Sequence, residues 1–325
     1  MGGLTLSGLT PKIAVIIPCY KVKQHILPLL DRISDIVWRI YVVDDCCPEE
    51  SGRLVTENTT DSRVVVLRTP INLGVGGAVL TGFKCALEDG ADILVKIDGD
   101  GQMDPDLLPL FVNPIVLGRA DYTKGNRFHN PSDVVQMPKL RLIGNAFVSF
   151  VNKISSGYWN IFDPTNGYLA INAKVAALLP IDKIAKRYFF ESDMLFRLNL
   201  IKAVVVDIPM KAVYGDEKSN LKISRELFNF LLGHLKNTVK RIFYNYYLRD
   251  LTAGSVELIL GLFLFSFGFI FGLTKWIGGV GSTSAAPSAT VMLAALPIIL
   301  GLQFLLAFLN SDIASVPYDP IQSKI

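Results

Sequence analysis

Two carboxylates stand one residue apart among glycines at the end of a short apolar run. Ile93-Leu94-Val95-Lys96-Ile97 leads directly into Asp98-Gly99-Asp100-Gly101-Gln102. The run is β-branched and brief, as a buried strand is. The glycines after it let the chain curl and aim several oxygens at one point. Hard divalent cations take oxygen ligands, and Mg²⁺ is commonly held by one or two carboxylates together with substrate phosphates. An Asp-x-Asp at a strand end can therefore seat a metal-diphosphate, with Mg²⁺ or Mn²⁺ as the ion. A solvated acidic turn has the same local sequence, so the surrounding elements must decide.

Those elements alternate. Lys12 to Pro18 is an apolar strand stopped by proline, and a helix fits 23–34, with Ile26, Leu29, Leu30 and Ile33 on one face. Arg39 to Asp45 and Arg63 to Leu67 are the second and third strands, and the strand before Asp98 is the fourth. Asn72-Leu73-Gly74-Val75-Gly76-Gly77 opens a helix that ends near Gly90. Strand, helix, strand at this spacing predicts right-handed crossovers and a mostly parallel sheet covered on both faces. Ligands of such sheets bind beyond the carboxyl ends of the strands, where Tyr20, Asp44, Asp45, Asp98 and Asp100 all fall.

The glycines at 74–77 lack the dinucleotide fingerprint after the first strand and the Gly-Lys-Ser/Thr of a phosphate loop. They mark either a close approach to a nucleotide or a tight turn of purely structural origin. Further on, Asp121 to Phe128 reads as a fifth strand, 139–154 as a helix, Asn160 to Ala170 as a polar turn entering a strand, and Phe189 onward as a helix. Ala203 to Pro209 is a last strand, and Tyr214 to Leu221 a polar loop.

The final third changes character. Residues 222–252 mix Phe, Leu and Tyr with Lys and Arg, the pattern of an amphipathic helix on a membrane surface. Gly254 to Leu273 and Ala289 to Leu309 are apolar runs, each long enough to cross ~30 Å of hydrocarbon. Basic residues gather before the first run, which predicts a cytoplasmic N-terminal domain and an integral membrane protein. The expected division is 1–221 catalytic domain, 222–252 juxtamembrane helices, 253–312 two transmembrane helices, and 313–325 a cytoplasmic tail.

Composition agrees. Half of the 325 residues are hydrophobic, and the mean hydropathy is +0.39. A net charge of +3 without arginine-rich runs excludes a nucleic-acid partner. Cys19, Cys46, Cys47 and Cys85 have no metal-ligand spacing and read as free thiols in core or near-core positions. The first residues, MGGLTLSGLTPK, have neither the basic nor the apolar part of a signal peptide.

The motifs IIPCYK, VVDDCCPE at 42–49, NLGVGGAVLTGFKCALEDGAD at 72–92, KIDGDGQMDPD at 96–106, GNRF at 125–128, DPTNGY at 163–168 and ESD at 191–193 share one order and spacing. With them the chain resembles the family 2 glycosyltransferases of GT-A fold, and more closely the polyisoprenyl-phosphate glycosyltransferases. The resemblance covers residues 12–222 and extends to the two apolar runs. Cys46-Cys47 stands where the family commonly has a small Gly-Ser pair, and Gly101 where it often has Leu.

The resemblance implies an α/β, Rossmann-like catalytic domain with a C-terminal helical hairpin. It implies inverting transfer of a hexose from a nucleotide-diphosphate sugar, UDP-glucose first and GDP-mannose second, to a polyprenyl phosphate in the membrane. By the same resemblance Asp98, Asp100 and Gln102 hold Mg²⁺ or Mn²⁺, while Pro18, Tyr20, Asp44 or Asp45, and Asn72 frame the base and ribose. Lys218 reaches the diphosphate. Arg127 and Arg141 match the acceptor-phosphate arginines. Asp163, Glu191 and Asp193 hold the sugar hydroxyls, orient an arginine or touch the metal site. Self-association through the apolar spans is expected. A processive polysaccharide synthase would bring a Q-x-x-R-W motif and more spans, and neither is found. An inactive nucleotide-sugar-binding scaffold is the remaining rival, and the intact Asp-x-Asp and Arg127 oppose it.

Overall fold

The computed structural model describes residues 10–129, 139–211, 223–280 and 285–325. The chain divides into two units, one of residues 1–238 with 317–325 and one of residues 239–316.

The first unit is built on a seven-stranded sheet: β1 (Ile13–Cys19), β2 (Val37–Asp44), β3 (Val64–Arg68), β4 (Ile93–Lys96), β5 (Tyr122–Asn126), β6 (Leu169–Asn172) and β7 (Val205–Pro209), in the order β3-β2-β1-β4-β6-β5-β7. All pairs are parallel except those of β6, which runs antiparallel to both β4 and β5. The near-continuous apolar runs of β1, β2 and β4 follow from burial on both faces. On one face Val15, Ile17, Val42, Val95 and Phe111 share a core. On the other, Gly82 lets a helix lie against Ile16, since a Cβ there would come within 2.5 Å of that side chain.

The helices covering the sheet are α1 (Ile26–Asp31), α2 (Ser51–Asn58), α3 (Val75–Glu88), α4 (Leu108–Val116), α5 (Lys139–Ser156), α6 (Ala173–Ala177), α7 (Phe190–Leu200) and α8 (Ile223–Phe243), the last running past the unit's end. Sequence periodicity misses α2, α4 and the five-residue α6. The first is short and mostly polar. The second contains Pro109 and Pro114, yet buries Phe111, Val112 and Ile115. Proline is tolerated in a first turn, where no helical N–H bond is lost, and core packing outweighs the second one.

Antiparallel β6 has a consequence for the site. Leu169 stands in register with Lys96 of β4 and with Lys124 of β5. The turn before it, Asp163 to Tyr168, therefore lies at the carboxyl ends of β4 and β5. The C-terminal residues close the opposite end. Asp121 accepts backbone N–H bonds from Val204 (2.8 Å), Ile321 (2.9 Å) and Gln322 (2.8 Å), and the Gln322 amide donates to Ala120 O at 2.6 Å.

On α8 the pattern of a soluble helix is inverted. His234 and Asn237 are buried, whereas Phe228, Leu231, Leu232 and Leu235 are exposed. Ser155 and the His234 Nδ1 lie 2.7 Å apart. Burial alone pushes the His234 pKa down to about 4.

The second unit is a hairpin of α9 (Ala253–Gly279) and α10 (Ser288–Ala314). Each has 27 residues, with mean hydropathies of 2.3 and 2.4 over their most apolar stretches. Length and composition suffice to cross a membrane. Gly261, Gly268 and Gly301 bring the two backbones together; a Cβ on Gly301 would come within 2.4 Å of the Phe265 nitrogen. Small residues at such crossings are how helices pack in lipid. Asp312 receives both arms of Arg241, at 2.6 and 3.0 Å, and the Tyr246 hydroxyl at 2.8 Å.

All four cysteines are free thiols. Cys46 is exposed, contrary to the near-core expectation, because it turns out of the chain in a left-handed conformation (φ 51°).

Candidate active site

A cavity of 720 Å³ opens at the carboxyl ends of β1, β2 and β4, and Pro18, Tyr20, Asp45, Asn72, Asp98 and Asp100 line it. Sequence reasoning left Asp44 and Asp45 as alternatives, and geometry separates them. Asp44 is buried beside the cavity, with its oxygens engaged by the N–H groups of Cys47 (2.7 Å) and Gly52 (2.8 Å). Asp45 is just as buried but lines the cavity, and it accepts from Leu73 N and Gly74 N, both at 2.7 Å, while Asn72 Nδ2 donates to its carbonyl at 3.2 Å. These bonds tie the 72–74 loop to the end of β2.

The glycine cluster also resolves. A Cβ on Gly74 would meet Arg187 and the Lys186 carbonyl at 2.9 Å, and one on Gly76 would meet the Ala185 carbonyl and Phe190 at 2.7 Å. Gly77 N donates to Lys186 O at 2.8 Å. The close approach is to the protein's own 185–190 segment. That segment brings Arg187 and Tyr188 into the cavity wall, and neither was singled out from sequence.

Asp98 and Asp100 face the same cavity and suit a hard divalent ion. Among the described residues no cluster of three or more His, Cys, Asp or Glu forms a complete cage. One or two carboxylates are a set that Mg²⁺ can complete with substrate phosphates. Gln102 follows in the same turn, its N–H donating to Asp100 Oδ1 at 3.0 Å.

Behind Asp98 sits a charge that motif reading passed over. Lys96 is fully buried, its Nζ 2.8 Å from Asp98 Oδ1 and 3.3 Å from Glu191 Oε1. Burial pulls the ammonium's pKa down, but the two carboxylates outweigh it and hold the value above that of an ordinary lysine. Lys124, equally buried, donates to the Asn166 carbonyl. There burial dominates over the attraction of Glu191 and Asp163 and pushes the pKa down to about 8. For Lys96, a lysine at the end of an apolar strand was the available signal, because lysine is almost never fully buried without a partner.

Arg127 and Asp163 form a fork. Nε donates to Oδ2 at 2.7 Å, the second arm donates to Oδ1 at 2.9 Å, and the Arg127 backbone N–H adds a bond of 3.1 Å. Of the three roles open to Asp163, its contacts are those of orienting an arginine. Glu191 and Asp193 separate as well. Asp193 accepts from Ala185 N (3.0 Å), Arg197 Nε (2.9 Å) and Asn237 Nδ2 (3.0 Å), so it fastens α7 to its surroundings. Glu191 faces Lys96, whose ammonium also meets Asp98. Arg141 lies in the first turn of α5, its side chain outside the described residues, and Lys218 also lies outside them.

Comparison with known proteins follows the same lines. Residues 14–178 match the family model described as glycosyl transferase family 2. A UDP-N-acetylglucosamine–dolichyl-phosphate N-acetylglucosaminyltransferase of Methanococcus voltae is 29% identical over 68% of this chain and 94% of its own length. An undecaprenyl-phosphate mannosyltransferase of Micrococcus luteus is 32% identical over 62% of this chain and 84% of its own. Among solved structures, glucosyl-3-phosphoglycerate synthase from Mycobacterium tuberculosis, with Mn²⁺, UDP and phosphoglyceric acid bound, superposes with a TM-score of 0.54. At 17% identity over 74% of this chain and 84% of that one, it is similar in fold.

Proposed function

The chain belongs to glycosyl transferase family 2, and on that premise we propose that it moves a hexose from a nucleotide-diphosphate sugar to the phosphate of a membrane polyprenyl carrier. The observation that carries the reading is the placement of an Asp-x-Asp cavity and an Asp163-held arginine at the ends of neighbouring parts of one sheet. Two relatives named for polyprenyl-phosphate acceptors and the two 27-residue apolar helices support it.

In this reading Tyr20, Asp45 and Asn72 frame the nucleoside. Asp98 and Asp100 take Mg²⁺ or Mn²⁺, which supplies Lewis-acid stabilisation of the departing nucleoside diphosphate. Arg187 adds a fixed positive charge on the same wall. The acceptor is a phosphate monoester with a second pKa of roughly 6, so it arrives as an anion and needs no general base. It needs orientation and charge. A guanidinium keeps its positive charge at any working pH and suits a phosphate anion. Asp163 holds that fork in one rotamer, leaving the acceptor oxygen to attack the anomeric carbon as its bond to the diphosphate breaks. Single displacement inverts that carbon. Glu191 lies where it can accept from a sugar hydroxyl.

The apolar helices anchor the chain in the membrane that holds the acceptor, and the outward apolar face of α8 suits the lipid–water interface. The tail after the second helix folds onto the sheet-bearing unit. That supports an even number of crossings. Exposed Lys236 and Lys240 before the first crossing favour a cytoplasmic site.

The donor is tested with a panel of labelled UDP-glucose, GDP-mannose and UDP-N-acetylglucosamine, purified protein, Mn²⁺ and undecaprenyl phosphate. Glucose was the expectation from sequence, whereas the relatives are named for mannose and N-acetylglucosamine. One donor labelling the organic phase identifies the sugar. Failure of all three with intact nucleotide binding returns the chain to the scaffold reading.

A further inference from the structure

Three observations converge on the residue behind the metal loop. Lys96 is fully buried and places its ammonium 2.8 Å from Asp98 and 3.3 Å from Glu191. Gly167, at the turn before β6, covers that pair: a Cβ there would come within 2.2 Å of Asp98 Oδ2 and 2.5 Å of Lys96 Nζ. Only a residue without a side chain lets the chain close so tightly. Finally, among the described residues no three or more His, Cys, Asp or Glu side chains group so as to hold a metal.

We propose that Lys96 is a positioning residue, an internal counter-cation that holds Asp98 and makes divalent-metal binding depend on the donor's diphosphate. This rests on the donor-site reading above. One Asp98 oxygen is engaged by the ammonium, which leaves the metal loop with less negative charge to offer an ion that arrives alone. An ammonium this close also repels a second cation at the loop, and in a partly dehydrated site that repulsion is weakly screened. The diphosphate brings the missing anionic oxygens. Ion and nucleotide therefore bind as a pair, and by linkage each raises the other's affinity by one common factor. The same contact joins Asp98 to the first turn of α7 through Glu191, so the metal loop and the segment carrying Arg187 are set together.

The test is Mn²⁺ binding to the full-length protein in detergent, read by electron paramagnetic resonance of the free ion, with and without UDP. Wild type is expected to bind Mn²⁺ at least tenfold more weakly alone than with UDP. Lys96→Met is expected to bind Mn²⁺ alone at least tenfold more tightly than wild type and to lose most of the UDP effect. Lys96→Arg, which keeps the charge, retains wild-type behaviour. Equal Mn²⁺ affinity of wild type with and without UDP overturns the proposal and needs no variant to fold. Unchanged or weaker Mn²⁺ binding by a folded Lys96→Met also overturns it, while leaving the donor site standing. Absence of any Mn²⁺·UDP complex in wild type instead removes the donor-site reading itself.

Discussion

Arg127 and Asp163 meet as a bidentate pair, at 2.7 and 2.9 Å, with the carboxylate buried and the guanidinium partly exposed at the site's edge. The buried partner fixes the orientation of the accessible one. Asp163→Asn keeps the shape and loses the charge. It is expected to lower transfer by one to two orders of magnitude, chiefly through a higher KM for polyprenyl phosphate, with UDP affinity unchanged. Arg127→Ala is expected to cost more activity, and also about 1–3 kcal/mol of stability, because Asp163 is left buried and uncompensated. Initial rates against lipid concentration, with a thermal melt, separate the two effects.

Asp44 and Asp45 are neighbours in sequence with different work. Asp44→Ala strips the partners from the Cys47 and Gly52 amides and is expected to destabilise the fold by about 2–4 kcal/mol. Asp45→Ala frees the 72–74 loop and is expected to weaken UDP binding at least tenfold. Calorimetric titration with UDP tells them apart.

Gly76 tests the wall of the cavity. Its Cβ would strike the Ala185 carbonyl and Phe190. Gly76→Ala should therefore push the 185–190 segment, with Arg187 and Tyr188, away from α3. The expected result is a raised donor KM with the lipid KM unchanged.

His234 makes the protein acid-sensitive. The unfolded chain takes up a proton near pH 6.5, and burial delays that uptake in the folded state to about pH 4. Between those values the unfolded state binds more protons, so stability falls as pH drops from 6.5 and the loss is complete by about 4. The gap corresponds to about 3 kcal/mol. Asp207, pushed up to about 6 by burial, acts in the opposite sense over much of the same range. The clean readout is therefore the difference between wild type and His234→Gln, which should shrink by about that amount from pH 7 to pH 4 in melts of the detergent-solubilised protein.

The alternating elements and the glycine-flanked carboxylates made the sheet and its working edge legible, because apolar periodicity and turn residues act locally. Three α-helices escaped: tertiary packing makes α2 and α4, and the five-residue α6 is too short to show a period. Pairing was also beyond reach. Neither motif says that Asp45 lines the cavity while Asp44 does not, or that Asp193 ties down a helix while Glu191 faces Lys96. The partners that decide stand at unequal distances along the chain, from 3 and 8 residues for Asp44 to 28 and 29 for Asp45 and 95 for Glu191. Lys96 is legible as a charge at the end of an apolar strand, whereas Lys124 stands in the polar run Tyr122-Thr123-Lys124-Gly125-Asn126, where nothing local marks its burial.

The most direct test of the phosphate-acceptor claim compares undecaprenyl phosphate with undecaprenol under the same labelled donor, wild-type protein and Mn²⁺. Label entering the organic phase only with the phosphate, and lost on chelation and in Asp100→Ala, is the result expected. Equal transfer to the free alcohol, or label appearing only in water-soluble polysaccharide, would contradict it.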